Sequence, residues 1–364
     1  MALMAPTAML DPMTATPADV AFSVGEEGYL WSDVILAAMR WGEWAEVEEA
    51  AARGLACQRQ ARAEEIVTDP AARAKAAADF RYARGLVTAE EMQAWLARWA
   101  LTVDDWMAWV ERDMLRARWS ATLAEIEARH PILLDEIAGA AWVEAVCSGA
   151  LPRLAQTLAG RVAALAAVRE SGAREMSGPP MAVEAGTLAE VAQHAMGATL
   201  GADCHDRLVH LAEVDHAFEV FRSRVLTPAA IETAIAGRRL DWVRLDVGTA
   251  RFGTEAAARE AACCVREDGS ALGEIAREAG VAFTESRVLL AEAPVTLRSH
   301  LLGAEPGDLL GPLADEGGQL LVEVRAKTAP EASQPEVRQR AETQVLEGAV
   351  RREVDARIQW RMIP

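Results

Sequence analysis

Basic charge is what this chain of 364 residues is short of: 37 Lys and Arg stand against 55 Asp and Glu, a formal net charge of −18 at pH 7. A phosphate backbone or an anionic membrane surface would repel such a chain, so neither nucleic acid nor a membrane is an expected partner. Long apolar runs are also missing. The most apolar stretch, LPRLAQTLAGRVAALAAV at 151–168, is broken by Arg153, Gln156 and Arg161, which predicts a buried helix instead of a membrane span. The first 22 residues hold no Lys or Arg and no continuous apolar core, so a secretory signal is not expected. Five cysteines (Cys57, Cys147, Cys204, Cys263 and Cys264) fall at no framework spacing, which fits reduced thiols and a cytoplasmic location. Phosphate loop, dinucleotide fingerprint and Ser–His–Asp order are all absent, and no cofactor is expected.

What the chain does have is helix grammar. Residues 20–34 predict two short strands about a turn from Gly25 to Gly28, then a helix capped by Ser32 or Asp33. Asp69 followed by Pro70 starts a helix that stops at Gly85. Thr88 with Glu91, and Thr102 with Asp105, open two more; Met92, Trp95, Leu96 and Trp99 share a face of the first, and Trp106, Trp109, Val110 and Met114 a face of the second. From about Ser120 the chain reads as further helix, with a flexible linker at 171–180, a cap at Thr187 and Glu190, and a last helix from Thr227-Pro228 to Gly237. Residues 1–50 carry nine acidic side chains against Arg40 alone, which reads first as a solvated face and second as a docking surface for a basic partner.

After Gly237 the grammar changes. RLDWVRLDV at 239–247 sets Val243, Leu245 and Val247 against Trp242, Arg244 and Asp246, the alternation of a half-buried strand. Helices are expected from Thr254 through Cys264, from Ser270 to Gly280 and over 294–302. Then AEPGDLLGPLADEGGQLLVEVRAK at 304–327 predicts strands at 309–313 and 319–324 about a Gly-rich turn. Residues 335–360 form a long amphipathic pattern with Val337, Ala341, Leu346, Val350, Val354 and Ile358 on one side.

The series of a strand, helices and GDLLGPL…GGQLLVEV resembles the parvulin domain of SurA- and PpiC-type foldases; Gly307, Asp308, Gly311, Pro312 and Gly318 carry the likeness. The segments SVGEEGYLWSDV and RGLVTAEEMQAWLARWALTVDDWMAWVERDML resemble the same family's chaperone module, which a C-terminal helix completes. These resemblances cover about two thirds of the chain, with 120–236 outside them. The fold class they imply is mostly α with a small α+β domain: a SurA-like helical module at 1–119, a helical insert at 120–236, a βαααββ parvulin-like domain at 237–330 and a C-terminal helix in 331–364. The likeness is nearest to PpiC-related proteins associated with maturation of ribosomally made peptides. It implies a peptide or unfolded polypeptide as partner, and a peptide-modifying enzyme as a second.

The resemblance also implies histidines in the first and last strands of the domain. By position these fall at Trp242 and Leu320, neither a histidine. Prolyl isomerisation has to lower a barrier of about 20 kcal/mol by stabilising a twisted imide. The expected function is therefore a peptide-binding chaperone or scaffold with a degenerate domain; the alternative is an isomerase using other residues. The expected groove residues are Trp242, Leu320, His300 and Leu309. A second, aromatic groove is expected at Trp95, Trp99, Trp106 and Trp109, where Met92, Met107 and Met114 lie among the indoles, although core packing is the more common fate of such residues. Cys204, His205, His210 and His216 match no zinc spacing and read as surface or core residues, and Cys263 with Cys264 reads as a buried pair.

Overall fold

The computed structural model describes residues 19–172, 204–315 and 317–361. It divides into two compact units, the first ending at Phe221 and resuming at Val350, the second running from Arg222 to Ala349. The linker at 173–180 and the cap at Thr187 and Glu190 lie outside the described residues.

The first unit is helical around a small sheet. Strands β1 (Val20–Val24) and β2 (Glu27–Leu30) form a hairpin, and β7 (Ile358–Trp360) adds to the other side of β1. Helices follow at α1 (Trp31–Arg40), α2 (Trp44–Ala63), α3 (Pro70–Ala83), α4 (Ala89–Arg98), α5 (Val103–Arg118), α6 (Leu123–Arg129), α7 (Leu134–Cys147) and α8 (Ala150–Glu170), and at α9 (Cys204–Val225), which crosses into the second unit. Local chemistry sets the starts. Asp69 accepts bonds from Ala71 N and Ala72 N, and reciprocal capping boxes join Thr88 to Glu91 and Thr102 to Asp105. At α1 the capping residue is Leu30, not Ser32 or Asp33; Asp33 sits in the first turn and accepts from Leu30 N at 2.7 Å.

Residues 134–168 are no separate insert. Ala141, Val146, Leu151, Leu158 and Leu165 belong to the same core as Trp31, Ile35 and Phe80. Leu208, Leu211, Val214 and Ala217 complete that core from α9, and Asp215 ties the helix down. Its carboxylate accepts from Arg40 Nε (2.6 Å), Trp41 Nε1 (2.8 Å) and Arg161 Nη1 (2.9 Å). Arg161 also lies 4.1 Å above the Trp41 ring. Burial pushes the Cys147 thiol up to about 12 and raises Cys57 as well, so both are inert apolar fillers.

The second unit is a four-stranded antiparallel sheet in the order β4-β3-β6-β5, built from β3 (Arg244–Phe252), β4 (Phe283–Leu289), β5 (Leu309–Asp315) and β6 (Gly318–Thr328). Helices α10 (Pro228–Gly237), α11 (Glu255–Glu267), α12 (Leu272–Glu278), α13 (Val295–Gly303) and most of α14 (Pro335–Arg357) accompany it. The order along the chain is strand, two helices, strand, helix, two strands. It corrects the expected βαααββ by one strand, β4, at 283–289. Strand β3 also runs on to Phe252, past the expected end at Val247. Helices α11 and α12 cover one face through Ala258, Ala261, Leu272 and Ala276 against Ala250, Phe252 and Leu321. Helix α13 covers part of the other face through Leu301 against Val247, Val322 and Val324.

The C-terminal helix ends at Arg357, and Ile358 is a strand residue. Its first half belongs to the second unit, where Val337 and Ala341 pack with Ile231 and Ile235. Val350 and the residues after it belong to the first. Among the described residues no helix is long and apolar enough to cross a membrane.

Two predictions follow from local constraints. Gly318 has φ +134°, and a Cβ there would lie 2.3 Å from the Phe252 carbonyl oxygen. Gly318→Ala should cost the second unit roughly 3 kcal/mol, seen as an earlier urea midpoint. An unchanged midpoint would refute the turn geometry. In the first unit, burial holds the Asp33 carboxyl above its ordinary value, against the Leu30 N–H bond and the Arg207 charge 3.0 Å away, which both lower it. A raised folded value means stability that is full at low pH and fades as pH rises through it. Asp33→Asn should therefore gain on the unmodified protein between about pH 4 and neutrality. Urea unfolding of both proteins across that range checks it, and a difference that does not vary with pH would contradict the dominance of burial.

Candidate functional site

A hollow of about 360 Å³ opens on the face of the second unit's sheet that α13 only partly covers. The period of two along a strand builds its floor. Val247, Thr249 and Arg251 project from β3, Leu320 and Val322 from β6, and Ser286 and Val288 from β4. Leu313, Ala314 and Asp315 close one end from β5, and Thr296, Leu297 and Leu301 of α13 make the facing wall. The wall is held by cations on backbone carbonyls. Arg298 donates to the carbonyl oxygens of Ala293 (2.9 Å) and Ala291 (2.7 Å) ahead of the helix, and Lys327 Nζ donates to those of Leu301, Leu302 and Ala304 (3.0 Å) at its end. Three free carbonyls at a helix C-terminus are a favourable place for an ammonium group.

The rim is charged and already paired. Arg251 contacts Asp315 through both its Nε (3.2 Å) and Nη2. Glu292 accepts from Arg340, and its other oxygen accepts from Leu289 N at 3.3 Å. No His, Cys or Tyr is among the lining residues, and the ionisable ones, Arg251, Glu292 and Asp315, are all in ion pairs. The surface can bury apolar side chains and bond a backbone through Thr249, Ser286 and Thr296. Its lining carries hydroxyls and paired carboxylates but no imidazole, thiol or phenol.

The residues singled out in the sequence do not gather here. Leu320 lines the hollow. Trp242 does not: it precedes β3 and is buried among Ile231, Ile235, Leu289, Val337 and Ala341. Leu309 points to the opposite face, into the core under α11. His300 is exposed on α13, with Nδ1 3.3 Å from the Thr296 carbonyl oxygen, and it is not part of the lining. The histidine-free character of the site does not depend on where the first position is placed, because neither β3 nor β6 contains a histidine at any position. Missed by the sequence reading were Val247, Thr249, Arg251, Ser286, Val288, Leu313 and Val322. Counting by twos from Leu320 and from Leu245 would have found those of β6 and β3.

The aromatic groove at Trp95, Trp99, Trp106 and Trp109 is core instead. Phe80 on α3 sits at its centre, with the rings of Trp95, Trp106 and Trp109 at 5.5, 5.7 and 5.4 Å and the Arg84 guanidinium 3.8 Å above it. Trp99 packs edge-on against Trp31 at 5.2 Å, and its carbonyl accepts from Trp142 Nε1 at 3.0 Å. Trp99, Trp106 and Trp109 are buried and Trp95 is half-buried. Helix α7 brings Trp142, the partner that sequence spacing alone did not supply. In the histidine cluster, His210 Nε2 is 2.8 Å from Tyr29 Oη, and its ring faces Glu27 and Glu213 at 3.4 and 3.7 Å; the side chains of Cys204 and His205 lie outside the described residues. Among the described residues no group of three or more His, Cys, Asp or Glu is placed to hold a metal. Cys263 is exposed and Cys264 half-exposed, so they are not the buried pair expected from their small neighbours.

Trp242→Ala should act through stability, lowering it by roughly 3–5 kcal/mol in denaturant unfolding. A wild-type midpoint in that variant would place the indole elsewhere.

No family model matches the sequence, and no curated protein matches it. Among solved structures the chain is similar to the crystal structure of PrsA from Bacillus subtilis, at 12% sequence identity and a TM-score of 0.22, over 60% of this chain and 86% of that one.

Proposed function

We propose that the second unit holds peptides, taking an extended apolar segment of a peptide or unfolded polypeptide into the hollow without isomerising it. The observation that carries this reading is the lining: an apolar floor of Val247, Val288, Leu297, Leu313, Leu320 and Val322, a rim of charges already paired, and no imidazole or thiol. Burying one Leu-sized side chain on such a floor contributes about 2 kcal/mol. The paired rim leaves little net charge to select a charged residue. A twisted imide, by contrast, needs polar groups aimed at it, and the two positions that would carry histidines by resemblance hold Trp242 and Leu320. This reading makes the protein a foldase-like holder or scaffold. The same resemblance favours a cytoplasmic accessory role, presenting a ribosomally made peptide to a modifying enzyme.

The test uses the full chain. A fluorescent, apolar, proline-containing peptide should bind the unmodified protein and bind Leu320→Asp about tenfold or more weakly, since the substitution puts a charge on the apolar floor. A protease-coupled proline-isomerisation assay on the same samples should stay at background. Equal affinity for both proteins would remove the hollow from the account. Turnover that is lost in Leu320→Asp would replace holding with catalysis.

A further inference from the structure

The sheet of the second unit has two edges, and they are treated differently. Strand β5 carries Pro312 and an irregular register between Leu310 and Leu313, and Arg266 occupies its carbonyls at Leu309 (2.9 Å) and Gly311 (3.1 Å). Proline, a bulge and a capping arginine are ways of closing an edge. Strand β4 has none of them. Phe283–Leu289 pairs with β3 without a bulge, residue for residue from Arg244↔Leu289 to Ala250↔Phe283, and Thr284, Glu285, Ser286 and Arg287 are all exposed. An open edge of this kind presents backbone donors and acceptors to another strand.

The sequence of that edge, FTESRVL, complements itself. Laid antiparallel on a second copy with Ser286 opposite Ser286, Glu285 of each chain faces Arg287 of the other, and Thr284 faces Val288. Opposite charges and β-branched residues are favourable partners at directly opposed positions, whereas like charges there are not. The neighbours inside each chain extend the pattern. Arg287 Nε is 2.9 Å from Asp246 Oδ1, and Arg325 Nη1 is 2.5 Å from Glu285 Oε1. Pairing two copies would therefore continue one row of alternating sign, running Asp246, Arg287, then Glu285 and Arg325 of the second copy, with its mirror beside it. Shifting the register by two residues breaks this row and sets Arg287 opposite Arg287 or Glu285 opposite Glu285.

We propose that β4 is a self-association edge, on which two copies of this chain join antiparallel about a two-fold axis at Ser286 to make one eight-stranded sheet. Such an interface is isologous, each copy giving and receiving the same contacts. The hollow face is shared as well. Ser286 and Val288 line the hollow, so pairing would set each copy's hollow next to that of the second and lengthen the floor open to an extended chain. One strand pair buries far less than the roughly 1,600 Å² of a standard interface, so the dimer is weak and concentration-dependent.

Sedimentation equilibrium of the full chain tests this, with thermal melts to confirm that each variant is folded. The unmodified protein should fit a monomer–dimer equilibrium. Glu285→Arg and Arg287→Glu place like charges opposite each other at both symmetric positions, and each should weaken the dimer by about tenfold or more. An equimolar mixture of the two variants restores both opposite-charge pairs across a mixed interface and should recover dimer that neither forms alone. The proposal is overturned by a protein that stays monomeric at all concentrations. It is equally overturned by a dimer that both single variants leave intact, or by a mixture that associates no better than its components.

Discussion

Strand β3 is hydrogen-bonded along both sides and packed on both faces, and the second unit is organised by that single constraint. A strand has only two faces, so its nine residues have to be divided between them. Leu245, Val247, Thr249 and Arg251 go to the α13 side, and Ala250 and Phe252 go to the α11 side. Strand β6 follows in register, sending Leu320 and Val322 one way and Leu321 the other. A slip by one residue would exchange every side chain between floor and core. The hollow lies where α13 flanks the floor face, with Thr296, Leu297 and Leu301 as its wall over Val247, Thr249 and Leu320.

Charge is handled by a matching economy of partners. With acids in such excess, the arginines discussed here are each close to a carboxylate or a carbonyl. In the first unit the Asp215 pairs with Arg40 and Arg161 are largely withdrawn from water, where removing one partner strands the other, whereas Asp33 is buried beside a partly exposed Arg207. On the rim of the hollow Arg251–Asp315 and Arg340–Glu292 are exposed pairs of small energetic weight. Their effect is to leave the apolar floor as the uncharged part of the hollow.

Much of the helical part was legible because helix starts are local. Asp69 before Pro70 and the Thr–Glu and Thr–Asp boxes need only the residues within one turn, and the structure places α3, α4 and α5 where they indicate. Strand β4 was not legible in the same way. Its inner partners are up to 45 residues away on β3, and its exposed residues on both faces are Thr284, Glu285, Ser286 and Arg287, which read as loop. The flanking signals were nevertheless present, with Gly280 before it, Pro294 after it, and Phe283, Thr284 and Val288 within. The tryptophans failed as a groove for the converse reason: spacing shows that residues share a helix face, not what covers that face.

The sequence by itself determined the period of each element, the caps, the Gly-Gly turn before β6 and the absence of any histidine from the strands that form the hollow. Those properties depend on bonds and sterics within a few residues. Only the tertiary structure decided which side of each element met a partner. It sent Trp242 and Leu309 into cores and set Leu320 beside Thr249 and Val288. It also left β4 as the unprotected edge. Burial and strand pairing are made between residues far apart in the chain, and a pattern that repeats along one element carries no information about the surface laid against it.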